Sequence, residues 1–179
     1  MKNAIVTGAS NGIGLEISKK LSENNFYVGM IDIDKENLLK ESENISNSVA
    51  IEGDVTNEDS IKNALDTFNK TPDLIVNNAG IVIFGGLEEQ TIEDFKKSVN
   101  VSLIGSYLVS RLAIDSMIKK GSGCIINMSS INGVHPGPGT GGYPPAKAGI
   151  VSLTQQMSIE WGPYAVSYTH LTLPTKRIV

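Results

Sequence analysis

The strongest constraint on what this chain can fold into is a strict alternation of short apolar runs with amphipathic segments. "AIVTG" precedes Ile13 to Leu21, "YVGMID" precedes Lys35 to Ile45, "VAIEGD" precedes Glu58 to Phe68, "DLIVNNAG" precedes Thr91 to Lys120, and "CIINMSS" precedes Tyr143 to Gly162. Runs too short for helices, each followed by a helix-period segment, are the pattern of βαβ units around a parallel sheet. The expected fold is α/β, a doubly wound parallel sheet in three αβα layers.

With 179 residues, 40% of them hydrophobic, the chain fits one globular domain with a sizeable core. The net charge of −4, without a basic block, argues against a nucleic-acid groove or an anionic membrane surface as partner. Small-molecule chemistry becomes the default. Cys124, the only cysteine, lies in "CIINM" and reads as a buried, inert thiol in a reducing compartment. "MKNAIVTG" runs straight into a strand, and no span near twenty apolar residues is apparent, so the expected location is cytoplasmic. The fourth helix, Thr91 to Lys120, carries its own signals: Thr91 as N-cap, Asp94 three residues on, and Lys119-Lys120-Gly121 as stop. The loop Asn132 to Gly142 is too rich in Gly and Pro for regular structure. His135 in this loop has no metal-ligand companions and reads as a loop residue, and no metal site is expected.

Two stretches carry chemistry. In "GGYPPAKAG", Pro144 and Pro145 suit the first turn of a helix, where a missing N–H costs nothing. Ile150, Leu153, Met157 and Trp161 then form its apolar face, and Tyr143 and Lys147 stand one turn apart. Alone, that pair could equally be a tyrosine near a cap and a solvated lysine. In "TGASNGIG", Gly8, Gly12 and Gly14 occupy the turn that opens the first helix, where backbone can approach a pyrophosphate and the helix N-terminus offers unpaired N–H groups. Asp32 ends the second strand 18 residues after Gly14, near the offset at which an acidic side chain accepts hydrogen bonds from an adenosine ribose. A plain Gly-rich loop and a solvated strand-end aspartate are the alternatives. Asp32 would repel a 2′-phosphate, Asn11 is neutral, and no arginine adjoins Asp32, so NAD(H) is favoured over NADP(H).

Taken together, these residues resemble the short-chain dehydrogenase/reductases. The resemblance rests on "TGASNGIG", Asp54-Val55, "NNAG" at Asn77 to Gly80, and Asn100, Ser130, Tyr143 and Lys147, in order and at fitting spacings over residues 3 to 164. It implies a Rossmann-like fold and a cofactor site made of Gly8, Ser10, Asn11, Gly12, Ile13, Gly14, Asp32, Asp54, Val55, Asn78, Ala79, Gly80, Tyr143 and Lys147. It also implies an enzyme that moves hydride between a nicotinamide cofactor and an alcohol, a ketone or aldehyde, or a 3-oxoacyl group. Tyr143 would be its acid/base, with the Lys147 ammonium favouring the ionised phenol. Ser130 would hydrogen-bond the substrate oxygen. Asn100 would hold a water that connects Lys147 to solvent. The full-length parent is expected to be a homo-oligomer, a dimer or tetramer.

The chain departs from the family pattern at Ala146, where many relatives have serine, and at Pro144-Pro145. A non-catalytic dinucleotide-binding sensor of the same fold, or an inactive enzyme fragment, are the competing readings; the intact set of four counts against the sensor. The resemblance ends at Tyr164, so residues 1–164 read as an incomplete domain that lacks the family's last strands and helix. Residues 165–179 read as a non-native tail, because a translated transposase-library sequencing adapter gives the same ten residues, Val166 to Thr175. Expressed alone, the chain is expected to be poorly soluble and without turnover. "VSYTHLTL" nonetheless alternates polar and apolar residues and can pair as a surrogate strand on the fifth.

Overall fold

The computed structural model describes residues 1–164 and 166–171. Six parallel strands form one sheet in the order β3-β2-β1-β4-β5-β6: β1 Lys2–Thr7, β2 Phe26–Asp32, β3 Ser48–Glu52, β4 Leu74–Asn77, β5 Gly123–Met128 and β6 Val166–Leu171. The helices are α1 Gly12–Glu23, α2 Lys35–Ser42, α3 Glu58–Phe68, α4 Ile92–Val99, α5 Gly105–Lys120 and α6 Tyr143–Trp161. The expected α/β doubly wound, Rossmann-like sheet is what forms. Strand order reverses between β1 and β4, so the loops after their C-terminal ends open a crevice at that switch point.

Strand alternation sends side chains to two separate cores. Ile5, Ile31, Ile75 and Ile125 face α3 and α5, where Ile61, Phe68, Val109, Ile114 and Met117 are buried. Val6, Val28, Met30 and Val76 face the other side and pack with Leu15 of α1 and Leu38 of α2. These two apolar layers fix the sheet rigidly beneath the crevice.

Three expectations need correction. The helix predicted over Thr91 to Lys120 is continuous but not uniformly α-helical: a π-helical turn, Asn100–Ile104, separates α4 from α5. Thr91 and Asp94 cap it reciprocally, as expected. This 29-residue helix, Ile92–Lys120, is also long and apolar enough to span a bilayer, against the expectation of no such span; its Val109, Ala113, Ile114 and Met117 are spent on the core. Cys124 is half-buried rather than buried, because it lies at the start of β5, and its partial burial still raises the thiol pKa.

The tail pairs as the alternation suggests. β6 runs parallel to β5 from Gly123 opposite Val166 to Met128 opposite Leu171. Val166 is buried and Tyr168 stacks at a tilt on Trp161, with ring centroids 6.1 Å apart. Residues 172–179, including the rest of the adapter match, lie outside the described residues.

Candidate active site

Beyond the strand ends lies a cleft of about 660 Å³, and the loop after each of the first five strands contributes to it. Gly8 follows β1, Asp32 ends β2, Asp54 and Val55 follow β3, and Asn78, Ala79 and Gly80 follow β4. Ser130 follows β5, and Tyr143 and Lys147 come from the first two turns of α6. Asn11 and Ile13 complete the wall at the start of α1.

The glycine turn is built by backbone contact. Gly8 has φ +64°, and a Cβ there would stand 2.9 Å from the Cα of Ala79. A Cβ on Gly14 would stand 2.0 Å from the carbonyl oxygen of Gly8, so only glycine lets α1 start this close to β1. Asn78 Nδ2 donates to the carbonyls of Thr7 and Gly8, each at 3.1 Å, which locks the turn to β4. Asn11 precedes the helix but makes no side-chain cap, so the first N–H groups of α1 have no side-chain acceptor. Ser10, Gly12 and Gly14 are not on the cleft wall. They support it: Ser10 is buried, its N–H donates to Asp32 Oδ2 at 3.0 Å, and its Oγ accepts from Asn11 Nδ2.

Asp32 Oδ1 accepts the N–H of Asp34 at 3.0 Å, so both carboxylate oxygens are oriented by backbone. The next cation along the chain, Lys35, is ion-paired with Glu52 at 2.9 Å. Asp54 caps its own turn, accepting from the N–H and the hydroxyl of Thr56.

At the other end of the cleft, α6 begins as the two prolines predict. Gly142 is the N-cap, and Pro144 and Pro145 occupy the first turn. Gln90, a residue the sequence reading missed, fixes this entry: its Oε1 accepts the Gly142 N–H at 3.0 Å and its Nε2 donates to Ile83 O at 2.6 Å. Lys147 Nζ lies 5.5 Å from the centroid of the Tyr143 ring and donates to Met128 O at 2.6 Å. The solvated-lysine alternative fails, because Lys147 is 4% exposed. Burial pushes its pKa down from 10.5 to about 8. Ser129 Oγ donates to Lys147 O at 2.8 Å and braces the helix. Ser130 Oγ accepts the Asn132 N–H at 3.2 Å, which leaves its own O–H to be aimed into the cleft.

Asn100 is not brought to this constellation. It is exposed on the π-helical turn and is absent from the cleft wall. The buried residue of that turn is Ser102, fully shielded, with an Oγ that has no hydrogen-bond partner among the described residues. A signal for it was present: serines recur every four residues at 98, 102, 106 and 110, and all four are buried. A single π turn, with more than four residues per revolution, helps a repeat of four keep to one face. Ser110 and the carbonyl of Ser106 accept from Asn77 Nδ2 in the core, and Asn77 in turn reaches Asn127.

The profile of the family described as short chain dehydrogenase matches residues 2–174 of this sequence. The chain belongs to that family. An oxidoreductase of Thermotoga maritima is 34% identical over 171 residues, covering 92% of this chain and 68% of the relative. A 3-oxoacyl-acyl-carrier-protein reductase of Chlamydia trachomatis serovar D is 38% identical over 171 residues, covering 90% of this chain and 68% of its own length. Among solved structures, an NAD⁺-bound xylitol dehydrogenase superposes with a TM-score of 0.90 at 26% identity, covering 97% of this chain and 70% of that one. The short-chain dehydrogenase chain described here therefore spans about two thirds of the length of these relatives.

Proposed function

We propose that this short-chain dehydrogenase interconverts an alcohol and a carbonyl compound, a ketone, aldehyde or 3-oxoacyl group, with NAD(H) as hydride carrier. One observation carries the reading: Tyr143 and a buried Lys147, one helical turn apart, share a cleft with the Gly8–Gly14 turn.

The residues fit a dinucleotide. The space that a Cβ on Gly14 would fill is taken by backbone, and the uncapped first turn of α1 presents N–H groups to an anion. Ile13 and Ile33 leave large apolar surfaces exposed on the cleft wall, suited to a flat apolar-faced group. Asp32, with Lys35 held by Glu52, would meet a 2′-phosphate as an uncompensated like charge, which favours NAD(H) over NADP(H). The relatives named as a dehydrogenase of a polyol and a reductase of an oxoacyl group support the two directions of the reaction.

A nicotinamide cofactor supplies or accepts the hydride when bound. The protein's part is proton transfer and orientation. Tyr143 gives its phenolic proton to the substrate oxygen in reduction and takes it back in oxidation. Ser130 donates its O–H to the same oxygen, fixing its position between two hydroxyls. The Lys147 ammonium stands beside the Tyr143 ring, 5.5 Å from its centroid.

The test combines binding with turnover. Fluorescence titration is expected to give tighter binding of NADH than of NADPH, and, with the full-length parent enzyme, a screen of ketones, sugars and 3-oxoacyl thioesters is expected to find one that consumes NADH. Tyr143→Phe should lower that rate by a factor of about 10² or more and leave NADH binding unchanged. Tighter NADPH binding refutes the cofactor assignment. A Tyr143→Phe protein that keeps its rate refutes the acid/base. NADH binding without turnover on any carbonyl compound favours the sensor reading.

A further inference from the structure

At the start of α6 few N–H groups need a partner from outside the helix. Pro144 and Pro145 have none, the Tyr143 N–H donates to Thr140 O at 3.0 Å, and the Ala146 N–H donates to Gly142 O at 3.3 Å. The one side chain that joins them is Gln90, whose Oε1 takes the Gly142 N–H at 3.0 Å, one residue before Tyr143. The same amide donates from Nε2 to Ile83 O at 2.6 Å. It therefore bonds two segments that flank the cleft: Ile81 and Val82 belong to its wall on one side, Tyr143 on the other. Gly141 admits the amide, since its φ is +43° and a Cβ there would stand 2.0 Å from Gln90 Cδ and Oε1. Gly142 sits as closely on α4, where a Cβ would stand 3.1 Å from Phe95 Cα and O. Gln90 immediately precedes Thr91, whose reciprocal cap with Asp94 anchors the start of α4. The two loops also meet through backbone, the Gly85 N–H donating to Gly139 O at 3.0 Å.

We infer that Gln90 is a positioning residue for Tyr143: its amide, bonded at both ends, holds the start of α6 at a fixed spacing from the Ile81–Val82 wall. The substrate oxygen has to reach the Tyr143 hydroxyl inside the cleft that these walls bound, and displacing a reacting group by about 1 Å can cost a factor of about 10² in rate. Gln90 does not touch the reacting atoms; it acts through Gly142. Both halves of the amide are needed. Gly142 offers a donor and Ile83 an acceptor, so at neutral pH neither a carboxylate nor an apolar chain of the same shape makes both bonds.

The inference rests on the proposed function for its effect on turnover, but the spacing itself is read in the free chain, so the two fail separately. In the 179-residue protein without cofactor, amide hydrogen exchange followed by NMR reports on Gly142 and on Gly85. Gln90→Met should speed exchange at both by about fivefold or more. Gln90→Glu keeps the acceptor and loses the donor, so Gly142 should stay slow while Gly85 exchanges as in Gln90→Met. Gly141→Ala, which pushes the amide out from its other side, should free both. In the full-length parent, Gln90→Met and Gln90→Glu should each lower kcat about tenfold and leave the KM for NADH within about twofold. Unchanged exchange at Gly85 in folded Gln90→Met overturns the inference, because the backbone tie alone would then set the spacing. Full kcat in Gln90→Glu overturns it too, since Gln90 would be no more than a helix cap. A parent that turns over no carbonyl compound refutes the proposed function instead, and the exchange rates at Gly85 and Gly142 still decide the role of Gln90.

Discussion

At the residue scale, burial of Lys147 sets function against stability. Its folded pKa of about 8 lies below the ordinary value of 10.5, so the unfolded chain binds its proton more tightly than the folded one. The sign follows: folding carries the full penalty below pH 8, the penalty shrinks as pH rises from 8 to 10.5, and above that it vanishes. At neutral pH the penalty is about 3 kcal/mol, from which about 1 kcal/mol must be set aside for the Met128 carbonyl that a replacement would orphan. Lys147→Met should therefore be more stable than wild type by about 1–2 kcal/mol at pH 7, with the advantage gone by pH 10, while any turnover is lost. Urea melts at the two pH values check this, and a Lys147→Met protein less stable at pH 7 than the parent would refute it. The pairing of Tyr143 with Lys147 was legible in the sequence because proline fixes where a helix can begin. The burial of Lys147 was not, since it depends on β5 and on the loop around Gly80, far away in the chain.

At the element scale, one carboxylate ties three elements together. Asp73, just before β4, accepts the Asn3 N–H of β1 at 2.7 Å through Oδ2 and pairs through Oδ1 with Lys120, the last residue of α5. Partial burial alone would raise its pKa, but Lys120 and the Asn3 N–H outweigh that and hold the carboxyl below its usual range. A depressed folded pKa contributes stability above the unfolded value, near 4, which is lost as pH falls through the folded one. Asp73→Asn should cost about 1 kcal/mol at pH 7 and should flatten the acid limb of the stability profile below pH 4. Thermal melts between pH 2.5 and 7 decide it, and an unchanged acid limb excludes the role. Elements themselves were mostly legible: apolar runs gave strands, and caps such as Thr91 with Asp94 gave helix starts. The π turn was not, because "NVSLIG" contains no proline to mark it, and its effect is a change of helix phase. That phase leaves Asn100 exposed and Ser102 buried.

At the scale of the whole molecule, the alternation of runs was enough to foresee a parallel sheet, and the switch point in its strand order places the cleft. The cover on β5 was legible too, in the alternation of "VSYTHLTL". Val166 to Leu171 pairs with the whole of β5, and Val166 is buried beside the core that α5 and α6 share. Tyr168 adds a half-buried ring against Trp161. Whatever the origin of this segment, it closes an edge that would otherwise present a row of unpaired backbone groups along an apolar strand. A chain ended after Tyr164 should lose the ladder hydrogen bonds and the burial of Val166 and Tyr168, about 3–5 kcal/mol in apolar transfer and packing. For a domain of this size that corresponds to a fall in Tm of about 6–20 °C, with visible aggregation at the melt. Scanning calorimetry and light scattering on the 164-residue and 179-residue proteins make the comparison. Val166→Asp and Tyr168→Ser in the longer chain should reproduce much of the loss without touching the cleft. If the shorter chain melted at the same temperature and stayed monodisperse, β6 would contribute nothing to the fold and the sheet would end, in energetic terms, at β5.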